Sequence, residues 1–176
     1  MSDRSLANNP ALRVATEADA PQLLDFMQAY YAFDGHGFDR EKSRAVLTAL
    51  LRDESLGKVW LVFDSENFDT ASQAAQPVGY IVLCFGYSLE WLGRDALVDE
   101  FYLLENYRGR GWGAKILSYL EEEARKFGVR VIHLEVIEGN SALHLYQKLG
   151  FEQHHSTFHS KWIANDLSKP GRQYRS

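Results

Sequence analysis

Tyr107-Arg108-Gly109-Arg110-Gly111-Trp112-Gly113-Ala114 stands between an apolar run that ends near Leu104 and a long amphipathic stretch. Its reading decides the fold. Three alternate glycines allow a tight turn and let a ligand approach main-chain N–H groups without interference from Cβ. The start of the helix that follows has N–H donors with no intrahelical partner and the positive end of the helix dipole, which together suit a phosphate or pyrophosphate. Arg108 and Arg110 add positive charge beside those donors. The plainer alternative is a glycine-rich turn with solvated arginines, but the strand-to-helix junction favours an anion cradle.

Working outward, residues 111–127 predict a helix with Ile116, Leu117, Leu120, Ala124 and Phe127 on its inner face. Glu121 with Arg125 and Glu122 with Lys126 form four-apart pairs outside, and Gly128 supplies the stop. Residues 129–137 read as a strand, followed by a short helix that Asn140 or Ser141 caps and that ends at Gly150. Upstream, residues 12–15 form a short strand. A helix follows, capped by Asp19 with Pro21 in its first turn, and Leu23, Leu24, Met27, Tyr30 and Tyr31 share one face. A second helix over 39–52 should bury Val46, Leu47, Leu50 and Leu51. Apolar runs at 59–63, 78–85 and 96–104 are strands, the first two joined by a long polar hairpin loop, and Phe151 with 158–163 provides late strand material. Consecutive strands joined by a hairpin, interleaved with helices, predict an α/β (α+β) chain with a central mixed β-sheet and helices on both faces. The chain reads as a single domain over 1–176, with 165–176 as a loose tail.

The chain has 176 residues, 45% of them hydrophobic, which suits one compact core. With 19 basic and 24 acidic residues the net charge is −5, which argues against nonspecific nucleic-acid binding. The one cysteine, Cys84, excludes an intramolecular disulfide framework and a cysteine-rich zinc site. It lies inside an apolar strand and reads as a buried thiol rather than a nucleophile. No apolar stretch approaches the roughly 20 residues of a membrane span, and no signal-peptide layout opens the chain. The expectation is a cytoplasmic protein without nucleic-acid or membrane partners. His154, His155 and His159 have no fixed ligand geometry, so no metal is expected.

Two segments carry a family resemblance. Arg108-Gly109-Arg110-Gly111-Trp112-Gly113 resembles the R/Q-x-x-G-x-G/A signature of the GCN5-related N-acetyltransferases. Ala142-Leu143-His144-Leu145-Tyr146-Gln147-Lys148-Leu149-Gly150-Phe151 resembles that family's A-x-x-L-Y-x-K-x-G-F run. They occur in the family's order and separation. The resemblance covers about a third of the chain and implies the family's acyl-CoA N-acyltransferase fold. It implies acetyl-CoA as cosubstrate, with phosphates held by Arg108, Gly109, Arg110, Gly111, Trp112, Gly113 and Ala114 and the pantetheine arm held by the main chain of Phe101, Tyr102 and Leu103. The family often has Asn where Gly139 stands here; Asn140, one residue on, is the nearest candidate for that contact. The implied reaction is direct attack of an amine on the thioester, with a small-molecule amine as acceptor, loosely as in the diamine and polyamine branch.

By that resemblance Tyr146 donates the proton that the departing thiolate takes up. As a plain reading, it is a core aromatic on an amphipathic helix. Asp99 and Glu100 are the candidates for base, because acids in an apolar strand are costly unless paired or functional. Strand alternation sends their side chains to opposite faces, so only one should reach the site. Tyr30, Tyr31, Asp34, Glu90 and Trp91 are candidates for holding a cationic amine by ring faces and carboxylates. The alternative is surface aromatics that pack a helix on the sheet. Two other classes stay open: a catalytically silent CoA-binding module, and a nucleotide-dependent oxidoreductase, since Gly109-x-Gly111-x-x-Ala114 also fits the degenerate dinucleotide fingerprint. The C-terminal strands would offer a face for a homodimer.

Overall fold

The computed structural model describes residues 9–33, 35, 37–66, 68, 75–136, 142–157 and 159–163. Five strands form one sheet in the order in which they occur: β1 (Pro10–Val14), β2 (Gly57–Asp64), β3 (Gly79–Ser88), β4 (Gly93–Leu103) and β5 (Val129–Leu134). The first four are antiparallel neighbours and β5 runs parallel to β4, so the sheet is mixed, as the hairpin-joined apolar runs predicted. Among the described residues four helices accompany it: α1 (Ala20–Phe33), α2 (Arg40–Arg52), α3 (Trp112–Lys126) and α4 (Leu143–Lys148).

Both faces of the central strands are covered, which is why they show no polar alternation. Val59, Leu61, Phe63, Tyr80 and Val82 point to one side, where Leu23, Leu24 and Phe26 of α1 and Leu47 of α2 meet them. Trp60, Val62, Ile81, Leu83 and Ala96 point to the other, against Trp112, Ile116, Leu117, Leu120 and Ala124 of α3. Each strand therefore divides its residues between two cores with a period of two.

Several expectations need correction. Val46 is 70% exposed; it lies one position, about 100° of helix rotation, from the buried Leu47, and α2 is too amphipathic to bury both. Asp19 does not cap α1 alone: its carboxylate accepts the Thr16 N–H at 2.8 Å and pairs with Arg13 at 2.7 Å across a 3-10 turn that leads into the helix. Lys126 pairs with Glu123, three residues back, rather than with Glu122. Phe151 and the described part of 158–163 form no strand; the run at 152–157 is exposed throughout and offers no apolar face to the sheet. Ile137, Asn140, Ser141 and the tail at 165–176 lie outside the described residues, and Ala142 occupies the N-cap position of α4. Among the described residues no helix is long and apolar enough to cross a membrane.

Candidate active site

The glycine-rich segment bends from the end of β4, through a 3-10 turn at Glu105–Tyr107, into α3. Gly109 (φ +71°) and Gly111 (φ +78°) adopt left-handed backbone that side chains rarely take, and nothing lies within 4 Å of where a Cβ would stand on either. Gly111 is the N-cap of α3 and provides no side-chain bond, so the first turn of that helix starts uncapped under open space. Gly113 serves a different purpose. Its backbone is helical, and a Cβ there would stand 3.0 Å from Leu145 Cδ2, so its lack of a side chain lets α4 approach α3. The three glycines do not act alike.

Arg108 Nε donates to the Leu103 carbonyl at 2.7 Å, and its guanidinium lies 4.8 Å from the Phe33 ring centroid and 5.2 Å from that of Tyr102. Arg110 lies over Tyr107, 5.1 Å from the ring centroid. The Trp112 side chain is fully buried against the sheet, leaving only its main chain for the cradle.

Beside the cradle the sheet parts. β5 pairs with β4 from Arg94 to Val98, where Leu134 is the last partner. The strand continues through Phe101, Tyr102 and Leu103 with no β5 neighbour, so main-chain groups on that side of β4 face the opening. These are the residues where the pantetheine arm was expected.

A β-bulge lies in the same stretch. Leu83 pairs with Val98 and Val82 with Glu100, which leaves Asp99 as the additional residue. Before the bulge, Ala96 and Val98 point to the α3 side; after it, Phe101 and Leu103 do. With regular alternation Glu100 would have faced α3. The added residue turns it to the α1 side instead, where the Tyr80 hydroxyl donates to Glu100 Oε2 at 2.7 Å. The bulge breaks the regular alternation that would send Asp99 and Glu100 to opposite faces, and the charge of each helps to raise the Tyr31 phenol and the Cys84 thiol. Glu100 is 7% exposed, the one buried charged side chain among the described residues, whereas Asp99 is exposed.

Rings surround that carboxylate. Tyr80 stacks on Phe26, Tyr30 lies 6.4 Å from Tyr102, and Tyr31 lies edge-on to Tyr30 and Phe38. Burial, then the charge and hydrogen bonding of Glu100, raise the ionisation of Tyr31 and of Tyr80 well above the ordinary phenol range, so both remain donors. The Cys84 thiol is pushed up to about 11, first by burial and then by Asp99 and Glu100. It remains a thiol at neutral pH, which makes it a poor nucleophile.

Tyr146 is half-buried on α4, edge-on to Phe151 at 5.9 Å, and packs against the α3-side core. Burial raises its pKa above 10, and no described residue hydrogen-bonds its hydroxyl. The ring packs into the core while the hydroxyl stays without a bond to any described residue.

Not every candidate joins this group. Glu90 is exposed, and Trp91 packs on His133 (5.7 Å) and His154 (5.6 Å) at the hairpin end of β4. At about 3.3 Å per residue, Gly93 at that end lies roughly 20 Å along the strand from Glu100. Asp34 and Asn140 lie outside the described residues. Sequence reasoning missed Tyr80 altogether. The available signal was a phenol within the otherwise aliphatic run Ile81-Val82-Leu83, where a buried hydroxyl requires a partner. No group of three or more His, Cys, Asp or Glu side chains that could hold a metal occurs among the described residues.

Comparison with known proteins supplies the family context. Residues 23–151 match the Acetyltransferase (GNAT) family. The thialysine N-epsilon-acetyltransferase of Mus musculus is 38% identical over 140 residues, spanning 79% of this chain and 82% of that protein. An integron cassette protein from the mobile metagenome of Cole Harbour Salt Marsh superposes with a TM-score of 0.73 at 28% identity, over 89% of this chain and 92% of the other. A predicted acetyltransferase from Clostridium acetobutylicum, solved with acetyl-CoA, has the same fold, with a TM-score of 0.69 at 16% identity over 86% of this chain and 96% of the other.

Proposed function

The chain belongs to the acetyltransferase (GNAT) family and is an acyltransferase of that type, and from this premise we propose that it acetylates a primary amine of a small cationic molecule by direct attack on acetyl-CoA. The buried Glu100 carboxylate within a ring of tyrosines, beside the parting of β4 and β5, carries the reading. Phenol rings around one buried carboxylate attract an alkylammonium by charge and by ring faces. The murine relative acts, by its name, on the ε-amine of thialysine, which supports a small amine as acceptor here.

The residues present fit the cosubstrate. The uncapped start of α3 beneath Gly109 and Gly111 suits a pyrophosphate, with Arg110 adding charge from the rim. Arg108 is tied back to Leu103 and the rings of Phe33 and Tyr102, so its part is to shape the cradle as well as to supply charge. On the side of β4 away from β3, the main chain at Phe101 and Leu103 suits the amides of the pantetheine arm, the Leu103 carbonyl already accepting from Arg108, while Tyr102 between them turns its main chain to β3. Bound there, acetyl-CoA supplies the acyl group as a reactive thioester.

An alkylammonium with a pKa near about 10.4 is neutral in only about one molecule in a thousand at pH 7.4, a penalty of about 4 kcal/mol. Glu100 accepts the proton that the nitrogen loses as it bonds to the acyl carbon, with Asp99 as the exposed carboxylate that passes it to water. The Tyr146 hydroxyl gives its proton to the departing sulfur. The transfer is uphill by at least about 2 kcal/mol for a thiol near about 8.5, which is usable in a held pair. Cys84, kept as a thiol, forms no acyl intermediate.

The test is a thiol-release assay with acetyl-CoA across thialysine, lysine, diamines, aminosugars and peptide N-termini. Turnover should concentrate on amines carried by flexible alkyl chains. Turnover confined to peptide N-termini would overturn the small-molecule reading, and absence of turnover together with acetyl-CoA binding would point to a silent binding module.

A further inference from the structure

Tyr80 has no part in the reaction as derived so far. It lies within β3, 1% exposed, with its ring parallel to Phe26 at 6.0 Å and tilted against Tyr102 at 6.4 Å. A side chain that served only to fill this space would be phenylalanine, since burying a hydroxyl is unfavourable unless it is bonded. The hydroxyl has one bond, donated to Glu100 Oε2 at 2.7 Å. Glu100, opposite Val82, sits just past the bulge that turns its side chain to the α1 side; the ladder sets that face but not the rotation of the carboxylate about its own bonds.

We infer that Tyr80 is the positioning residue for Glu100: its hydroxyl holds one carboxylate oxygen so that the other is directed at the attacking amine. This rests on the reading of Glu100 as base. The groups facing that carboxylate are Tyr80 and the Cys84 thiol from β3, Tyr31 and Tyr30 from α1, and the Asp99 carboxylate from its own strand. Asp99 is the one other carboxylate among them. A hydrogen bond donated to a carboxylate, as Tyr80 donates to Glu100, favours its ionised form. Tyr31, on a helix at the mouth of the site, bonds to the same carboxylate but is only half-buried and belongs to the surface the substrate meets.

The test compares Tyr80→Phe, Glu100→Gln and the double variant, with acetyl-CoA affinity measured by calorimetry and kcat/KM for the best amine followed across pH. Tyr80→Phe retains the ring and should leave acetyl-CoA affinity within about twofold. It should lower kcat/KM about 10- to 100-fold and move the acidic limb of the profile to higher pH, because a donor to the ionised carboxylate has been lost. The double variant should be no slower than Glu100→Gln alone. An unmoved limb, or losses that multiply in the double variant, would overturn the inference while leaving Glu100 as base. Full activity of Glu100→Gln would remove the base and its positioning residue together, with acetyl transfer itself intact. If Tyr80→Phe fails to bind acetyl-CoA, difluorotyrosine placed at 80 serves instead. As a stronger donor of nearly the same shape it should move the limb to lower pH, and an unmoved limb would again reject the role.

Discussion

The Arg108 guanidinium lies over the Phe33 ring, 4.8 Å from its centroid, and so ties the last turn of α1 to the bend that leads into α3. The same group covers Tyr102 and takes the Leu103 carbonyl. A lysine retains the charge but neither the planar stacking nor the fixed fork. Arg108→Lys should therefore weaken acetyl-CoA binding about 3- to 10-fold and destabilise the fold by about 1 kcal/mol. Calorimetric titration and urea unfolding measure the two effects separately, and an unchanged Kd would show that the contact is only structural.

The glycines should separate by kinetic parameter. Gly111→Ala forces a side chain into left-handed backbone at a cost of about 1–2 kcal/mol and should raise the acetyl-CoA Kd or KM. Gly113→Ala gains helix propensity but pushes Leu145, and with it α4, by a few tenths of an ångström. Its effect should fall on kcat, because α4 carries Tyr146. Identical effects from the two substitutions would contradict the division of roles.

Tyr146→Phe should lower kcat about 100-fold with little change in KM for acetyl-CoA. Burial holds the phenol protonated beyond its ordinary range, so a donor role predicts an alkaline limb in the wild-type profile, where the phenol ionises. In the phenylalanine variant that limb should vanish. A variant that is slow but retains the limb would assign it to another group.

Cys84 supplies a check on the electrostatics of the site. With its thiol pushed up to about 11, only about one in a thousand is ionised at pH 8. Alkylation by iodoacetamide should be slow and rise about tenfold per pH unit up to that value. Glu100→Gln removes one of the charges acting on it and should accelerate the reaction at fixed pH. Equal rates would mean that the two groups do not sense one another.

Stability should depend on acid through Asp19. Burial alone would raise its pKa, but hydrogen bonds from Arg13 and Thr16 outweigh that and hold it below the usual carboxylate value. A depressed folded-state pKa contributes stability above the unfolded-state value, near about 3.9, and loses it as pH falls through the folded-state value. Asp19→Asn should therefore destabilise by roughly 1 kcal/mol at pH 7, the pair being partly solvated. In urea titrations the difference from wild type should narrow as pH falls below about 3.9 and close once it passes the lower folded-state value.

Much of the architecture was legible in the residues. The glycine bend, the apolar stripe of α3 and the unbroken apolar runs of β2 and β3 follow from period and composition, and they located the strand-to-helix bend and the core into which the Tyr146 ring packs. Local signals failed where a long-range relation decides. Nothing near Asp99 marks it as the residue that the partner strand skips, because a bulge is defined by pairing with β3. Tyr80 was passed over because periodicity reports burial and not hydrogen bonding. Residues 158–163 looked strand-like by composition, but a strand needs a neighbour as well as suitable side chains, and the exposed run before them brings none.

The additional residue in β4 gives this strand slack at one point only. Deleting Asp99 would leave Val98 opposite Leu83 and Glu100 opposite Val82, so the strand would regain an even pleat with every downstream side chain on its present face. An even pleat that kept Asp99 would instead slip the register by one residue, driving Glu100 among the leucines beneath α3 and turning Phe101 toward the α1 side. Substitutions along the strand can be tolerated one at a time, whereas a slip in its register acts like a frameshift in three dimensions.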